Sequence, residues 1–412
     1  MRLTVLAASN EEVPINAVRS MEIFSGKMAG ICYMKGEYFG TAVSDIDKAA
    51  NRFDKIIGTG HHSISDHCFI TVLFEDIPKM TAMILNSIGF YNTSEKSGRY
   101  TIMYSEGENK ILYDKWFKKF YDLILEYDPN IDNTKSGKQS DLLRTKLAQE
   151  NARYMLSIFE KSTTMGYTTS LRMWSYLVCW LKEYLDSVDE KKLYDKMSLF
   201  NQQVYKCIND LYLHLIHTDC FSRNIVDTKG RKLDFLAKQV ENGMEDVIEI
   251  FSDAYTMKYR TSFANLAQEQ RHRTIDYYML FDGYTTDDKH GMFYVPMLIR
   301  DNPDLTEEWL TDLYSVKDTF PNATLVDVVE MGTIQNFMLK CDERLCGRTM
   351  LETMMNVKTN LMRLERSFNK SPHMMKCIER HMRDGEIIMK CGNIRCNEPC
   401  YWGPSKSKTK LI

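Results

Sequence analysis

The sequence predicts an α+β protein, and three observations carry that expectation. Runs with strand composition, Cys68–Glu75 and Val247–Phe251, are rich in β-branched and aromatic residues. Stretches with helical periodicity lie between and around them. The composition is that of an ordinary globular chain, 44% hydrophobic and 26% charged over 412 residues, long enough for two domains. A net charge of −3 provides no general attraction to nucleic acid or to an acidic membrane surface. No apolar run approaches bilayer length, and the N-terminal Met1–Ser9 is short for a signal peptide, so the expected location is the cytoplasm. Cys32, Cys68, Cys179 and Cys207 stand singly in apolar segments, the pattern of reduced, buried thiols.

In chain order, Ile46–Gly58 reads as a helix closed by its glycine. Gly60-His-His-Ser-Ile-Ser-Asp-His67 follows, and its spacing matches no standard zinc pattern. The strand at Cys68–Glu75 leads to Pro78 and a helical run ending near Leu85. In Tyr91–Tyr100, the side chains of Glu95, Ser97 and Arg99 alternate, so an extended backbone projects them to one side. A carboxylate, a hydroxyl and a guanidinium so placed suit a sugar hydroxyl and a phosphate; taken alone, a polar loop is the simpler reading. Residues 113–127 form an amphipathic helix, and Asp128–Asp141 has turn chemistry throughout. Leu171, Trp174, Val178 and Leu181 recur at helical spacing and serve a core. The polar stretch Thr218–Gly230 is the expected boundary. Beyond it, a helix leads into Gln268-Glu-Gln-Arg-His-Arg273, which would place Gln268, Arg271 and His272 on one helix face. Two guanidiniums and an imidazole in one turn suit an anion, although an isolated triplet is more simply a solvated basic patch.

Several stretches together resemble the flavin-dependent thymidylate synthases, whose pattern runs H-x-S/T-x-x-E-H and then Q-x-x-R-H-R-x-x-S-x-N-E-x-S-x-R-Y. In the first half the resemblance rests on His61–His67 and Ser94-Glu-Lys-Ser-Gly-Arg-Tyr100. It extends to Asn151-Ala-Arg153-Tyr-Met-Leu156 and to Ser170-Leu-Arg172-Met-Trp174. Ser87-Ile-Gly89 stands where the family has Arg-His-Arg, and the family's catalytic arginine is missing near Leu181. In the second half, Gln268 and Arg271–Arg273 supply the Q-x-x-R-H-R, but no Ser-x-Arg-Tyr follows. Val329–Met338 resembles the counterpart of Gly166–Leu177. Arg344, nine residues past Gln335, falls where the catalytic arginine belongs, and Glu352 fits the pattern after it.

The losses are complementary. The resemblance therefore implies two tandem units, each an antiparallel sheet with flanking helices, forming a pseudo-dimer. The expected divisions are 1–215, 216–385 and a cysteine-containing tail at 386–412. By the same resemblance, Arg344 is the catalytic residue. Gln268, Arg271, Glu95, Ser97, Arg99 and Arg153 hold dUMP or a related pyrimidine nucleotide. Ser63, Arg271, His272, Arg273, Glu95 and Arg172 hold FAD. Methylenetetrahydrofolate supplies the carbon and NADPH reduces the flavin. Family tetramers imply a homodimer of this chain as a pseudo-tetramer. Two other functions stay open: flavin- and folate-dependent modification of another pyrimidine, such as hydroxymethylation, and a non-catalytic nucleotide- or flavin-binding relative.

The tail carries Cys391, Cys396 and Cys400 among turn residues, with Cys377 upstream. Zinc with a fourth ligand from Cys377, His373 or His381, and unrelated reduced thiols, are equally open readings, because the spacing is looser than C-x₂-C.

Overall fold

The computed structural model describes residues 1–9, 17–31, 45–98, 101, 103, 105–132, 137–227, 248–251, 253–368, 372–392, 396 and 400–412. The chain forms two compact units: Met1–Lys96 with Phe159–Asp234, and Ser97–Ile158 with Phe235–Ile412. The expected halves were contiguous stretches of sequence, whereas the second unit draws Ser97–Ile158 from the first of them.

The first unit is built on a four-stranded antiparallel sheet in the order β1-β2-β4-β3. Its strands are β1 (Arg2–Ala8), β2 (Phe69–Pro78), β3 (Tyr91–Glu95) and β4 (Lys161–Ser170). β2 alternates as its sequence dictates, burying Ile70, Val72 and Phe74. On the same face Tyr167 of β4 stacks on Tyr91 at 5.1 Å and meets Trp174 edge-on at 5.5 Å. Trp174 lies in the helix Leu171–Glu190, which Ser170 caps by accepting a hydrogen bond from the Met173 N–H. The helix Lys79–Asn86 follows Pro78 and is buried from Met80 through Asn86. The helix Ile46–Gly58 has the bounds its sequence predicts, with Asp45 as N-cap. It crosses the helix Ala17–Gly30 so closely that a Cβ on Gly26 would stand 2.0 Å from the Ala49 carbonyl oxygen.

The second unit contains a four-stranded antiparallel sheet of the same order, β5-β6-β8-β7. Here β5 is Ile248–Phe251, β6 Ala254–Ser262, β7 Asp276–Leu280 and β8 Leu325–Thr333. In both sheets the second strand runs straight into a helix, Lys79–Asn86 or Phe263–Glu269. In both, the fourth strand is inserted between the second and third, then enters a helix through a hydroxyl cap. Thr333 plays that part for the helix Ile334–Arg344.

The apolar core of the second unit gathers Trp116 and Phe120 of the helix Gly107–Tyr127 with Trp309 and Leu313 of the helix Pro303–Ser315. The two indoles meet edge-on at 4.8 Å, and each finds an acceptor: Asp312 for Trp116 at 2.7 Å and the Tyr294 carbonyl for Trp309 at 2.9 Å. The polar loop expected at 128–141 is shorter than its composition suggests. A helix already begins at Gly137 and runs to Ala152, because Leu143 and Leu147 have this core to pack against. Among the described residues no helix is long and apolar enough to cross a membrane.

Candidate active site

The Arg271–Arg273 triplet lies in the second unit, but not on a helix. The helix Phe263–Glu269 starts at Ser262, whose hydroxyl accepts from the Asn265 N–H, and ends at Glu269. A turn carries the triplet, with the His272 N–H on the Glu269 carbonyl at 2.9 Å and the Ile275 N–H on the His272 carbonyl at 3.0 Å. β7 then starts at Asp276. The expected common helical face of Gln268, Arg271 and His272 is therefore corrected. The helix stops because Glu269 is drawn into the protein and the chain must reverse into β7.

What draws Glu269 inward is a buried ionic cluster. Glu269, Glu330 of β8 and Lys340 of the helix Ile334–Arg344 all have no exposed side-chain surface. Lys340 Nζ lies 2.8 Å from Glu330 and 3.3 Å from Glu269. Asn356 donates to Glu269 at 3.1 Å, and the Tyr255 hydroxyl donates to Glu330 at 2.6 Å. The Tyr259 hydroxyl stands 2.5 Å from Glu269 and 2.8 Å from Glu330. One hydroxyl proton cannot serve both carboxylates. Burial, opposed by Lys340, raises the Glu269 pKa above the usual carboxylate value. Burial alone would lower the pKa of Lys340, but the two carboxylates overcome it and raise it.

Arg344 lies one helical turn beyond Lys340, on the same helix face. Its Nε donates to Nε2 of His272 at 2.7 Å. His272 is buried, and its pKa is lowered to about 2 by burial and by the Arg344 and Lys340 charges. The imidazole is thus neutral, with Nε2 as acceptor and its proton on Nδ1, which lies 3.9 Å from Glu343. One helix holds the triplet turn at two points, through Lys340 to Glu269 and through Arg344 to His272. Arg271 is half-buried in this turn and Arg273 is exposed. The buried Oε1 of Gln268 accepts no hydrogen bond among the described residues.

The other sequence-derived candidates are distributed between the units. In the first, Glu95 ends β3 with its side chain 3% exposed, paired with Lys79 at 2.7 Å and accepting from Thr163 at 3.1 Å. Ser63 is exposed on the short helix His62–His67. Asp66 of that helix pairs with Arg172 at 2.5 Å and accepts from Ser170 at 2.8 Å, so Ser63 and Arg172 share one neighbourhood. In the second unit, Arg153 follows the helix Gly137–Ala152 with a guanidinium nitrogen against Met350 Sδ, and Ser97 is half-buried. Arg99 lies outside the described residues. Glu352 is buried and accepts from Tyr154, Thr261, and both the N–H and hydroxyl of Ser262.

Cys68 and Cys207 are buried and Cys179 half-buried, all as free thiols, while Cys32 lies outside the described residues. In the tail, Cys391 contacts the Ser407 hydroxyl at 3.6 Å and Cys400 packs against the apolar core. Cys377 and Cys396 are half-buried free thiols. Among the described residues no group of three or more His, Cys, Asp or Glu side chains is placed to hold a metal ion.

Sequence reading missed Lys340, Glu330, Tyr255 and Tyr259. The signal was available, since Lys340 interrupts Phe337-Met-Leu-Lys-Cys341 and Glu330 interrupts Val328-Val-Glu-Met331. A charge at a core position of an apolar run marks a buried partner.

The fold and this turn define an antiparallel α+β protein with a clustered arginine–histidine site next to buried carboxylates. Residues 20–181 match the family model described as "Thymidylate synthase complementing protein", under half of the chain. Solved structures similar to the chain include thymidylate synthase X from Helicobacter pylori with FAD and dUMP, and the flavin-dependent thymidylate synthase ThyX from the same organism with FAD and dUMP. Both are 16% identical to this chain and fully covered by it, across 52% and 54% of its length, with a TM-score of 0.26. A likeness of that size carries no argument of its own. No curated protein matches the chain.

Proposed function

We propose that this chain is a flavin-dependent thymidylate synthase-like enzyme, built from two divergent copies of one unit, that transfers a one-carbon unit to C5 of a pyrimidine nucleotide. The observation that carries the reading is the 2.7 Å hydrogen bond from Arg344 to His272. Two residues picked for separate roles, 72 positions apart, share one site. The family match at residues 20–181 supports the kind of enzyme, and the common strand order of the two sheets supports duplication.

The donor set suits an anionic flavin and a pyrimidine. Arg271 and Arg273 provide positive charge, while His272 is held neutral and offers only its Nδ1–H. The orphaned Gln268 Oε1 is an acceptor awaiting an N–H such as an imide carries. FAD, when bound, supplies the hydride that completes the methyl group, with methylenetetrahydrofolate as carbon donor and NADPH as reductant. Arg344, aimed by His272, stabilises negative charge developing on the pyrimidine oxygen, which polarises C5–C6 without a thiol nucleophile. Ser97, Arg99 and Arg153 are assigned to the nucleotide. Ser63, Glu95 and Arg172 are first-unit candidates for nucleotide or flavin.

The test is purification followed by a flavin absorption spectrum, then tritium release from C5-labelled dUMP with methylenetetrahydrofolate and NADPH under anaerobic conditions. The wild type is expected to be yellow and to release tritium, whereas Arg344→Ala keeps its flavin and loses turnover by at least about 100-fold, as for removal of a charge-stabilising donor. A colourless protein, or an Arg344→Ala variant with unaltered turnover, overturns the reading. The mass of the product separates methylation from hydroxymethylation.

A further inference from the structure

The second unit carries a cleft lined by Tyr259 and Asn356, the two residues that hydrogen-bond Glu269, and by none of Gln268, Arg271, His272, Arg273 or Arg344. Its volume is about 520 Å³, within the range of small-molecule sites. One wall is the helix Leu351–Phe368, which presents Asn356, Thr359, Asn360 and Arg363 at helical spacing. The end of β6 contributes Arg260, and the segment Met297–Arg300 contributes Arg300.

Three guanidiniums line this one cleft, each tethered to a backbone carbonyl. Arg260 donates to Gly291 at 2.7 Å, Arg300 to Val295 at 2.9 Å and Arg363 to Lys258 at 2.9 Å. Tethering fixes where a guanidinium points, which reduces the entropy lost when it grips an anion. The carboxylate in the cleft, Glu352, is occupied from behind by four donors, two of them from Ser262. Three guanidiniums against this one carboxylate leave the cleft lining with a net positive charge. Asn356 and the exposed Thr359 hydroxyl beside the arginines supply neutral hydrogen-bonding groups, while Asn360, fully buried, links Asn356 to Arg363; the Tyr294 ring lies below Arg300 at 5.9 Å.

We propose that this cleft binds a phosphorylated small molecule of mononucleotide size, at a site separate from the triplet turn. The arginines take the phosphate, and Asn356 and Thr359 take the polar part of the ligand. The volume exceeds what inorganic phosphate alone would fill. The assignment stands on the cleft itself and is independent of the enzyme reading.

Isothermal titration of the full-length protein tests it, with inorganic pyrophosphate, adenosine 5′-monophosphate and adenosine as probes. Saturable binding of the two phosphorylated probes and none of adenosine is expected. Competition between them identifies a shared phosphate subsite; saturable binding of the monophosphate alone or of pyrophosphate alone assigns the phosphate to a nucleotide or to a free anion. The double variant Arg260→Gln, Arg300→Gln should weaken binding at least tenfold. Both side chains are exposed, so its melting curve should match the wild type. Arg271→Gln should bind as the wild type does. No saturable binding, binding indifferent to the double variant, or binding lost in Arg271→Gln instead, overturns the proposal.

Discussion

Replacing Lys340 with methionine tests the buried cluster most directly. Methionine conserves most of the lysine volume, so the change removes charge with little cavity. It leaves Glu330, whose carboxylate holds the Lys340 ammonium at 2.8 Å, as an ionised group with no cation beside it. Breaking a buried pair from one side costs about 3–5 kcal/mol, against a total stability of about 5–15 kcal/mol for a typical domain. A unit of about 150–250 residues loses roughly 2–4 °C of Tm per kcal/mol, so the expected drop is roughly 6–20 °C at pH 8.

The sign of the pH dependence is a second check. Removing Lys340 takes away the charge that opposes burial at Glu269, so the folded-state pKa of that carboxyl, raised already, rises further. Between the unfolded carboxyl value and the raised folded one, the folded state binds more protons, so stability falls as pH rises. The deficit of the variant should therefore be larger at pH 8 than at pH 5. Lys340 has its own pKa raised in the folded protein, so its contribution is complete below the ordinary lysine value and is lost only in strong alkali. Melting curves by circular dichroism at the two pH values are sufficient. A deficit below about 1 kcal/mol, or one equal at both pH values, refutes the argument, because a buried, ion-paired lysine cannot behave so. Glu269→Gln provides an internal control. If Glu269 carries a proton, the amide mimics it, and this variant should be less destabilised than Glu330→Gln.

The remaining predictions concern His272 and the core. His272 should show no imidazole titration by NMR between pH 8 and pH 4, with its proton on Nδ1, since Arg344 donates to Nε2. Its folded pKa is depressed, so its contribution to stability is present above the unfolded histidine value and is lost as pH falls from there towards about 2. His272→Asn should accordingly flatten the acid limb of the stability profile below about pH 6.5. Trp309→Ala removes a fully buried indole that packs on Trp116 and Phe120 and should cost about 3–5 kcal/mol in denaturant titration; a loss under about 1 kcal/mol would show that the indole is not a core contact.

Local signals were legible where local physics decides. The helix Ile46–Gly58 and the helix after Pro78 follow from amphipathic spacing, a capping aspartate and a proline start. β2 follows from its β-branched and aromatic run. β6 is legible in principle, although its sequence reads as the approach to a helix. Tyr255, Met257 and Tyr259 alternate inward with Thr256, Lys258 and Arg260, a period of two that the charged members disguise. β4, rich in serine and threonine, has little apolar content to announce it. Its core contribution comes from Met165 and Tyr167 meeting residues far away in sequence. The triplet turn was the least legible of all. Helix propensity continues past Gln268, and what ends the helix is an ion pair to Lys340, 71 residues downstream.

That ion pair also explains why the candidate site would be organised from a helix rather than from its own loop. A turn of six residues between a helix and a strand has few internal bonds to define the direction of two guanidiniums and an imidazole. The helix Ile334–Arg344 defines it from outside, with Lys340 gripping the residue just before the turn and Arg344 gripping its central histidine. Spacing the two contacts by one helical turn converts any rotation of that helix into a coordinated movement of Arg344 and Glu269. The cost is a buried ionic cluster, which by itself adds little stability compared with an apolar one. A protein that needed only to fold would gain more from leucine at Lys340 and Glu330. Keeping the charges is consistent with a requirement for geometry at Arg344. If Lys340→Met impaired flavin retention or turnover no more than it lowered the melting temperature, that requirement would have no support.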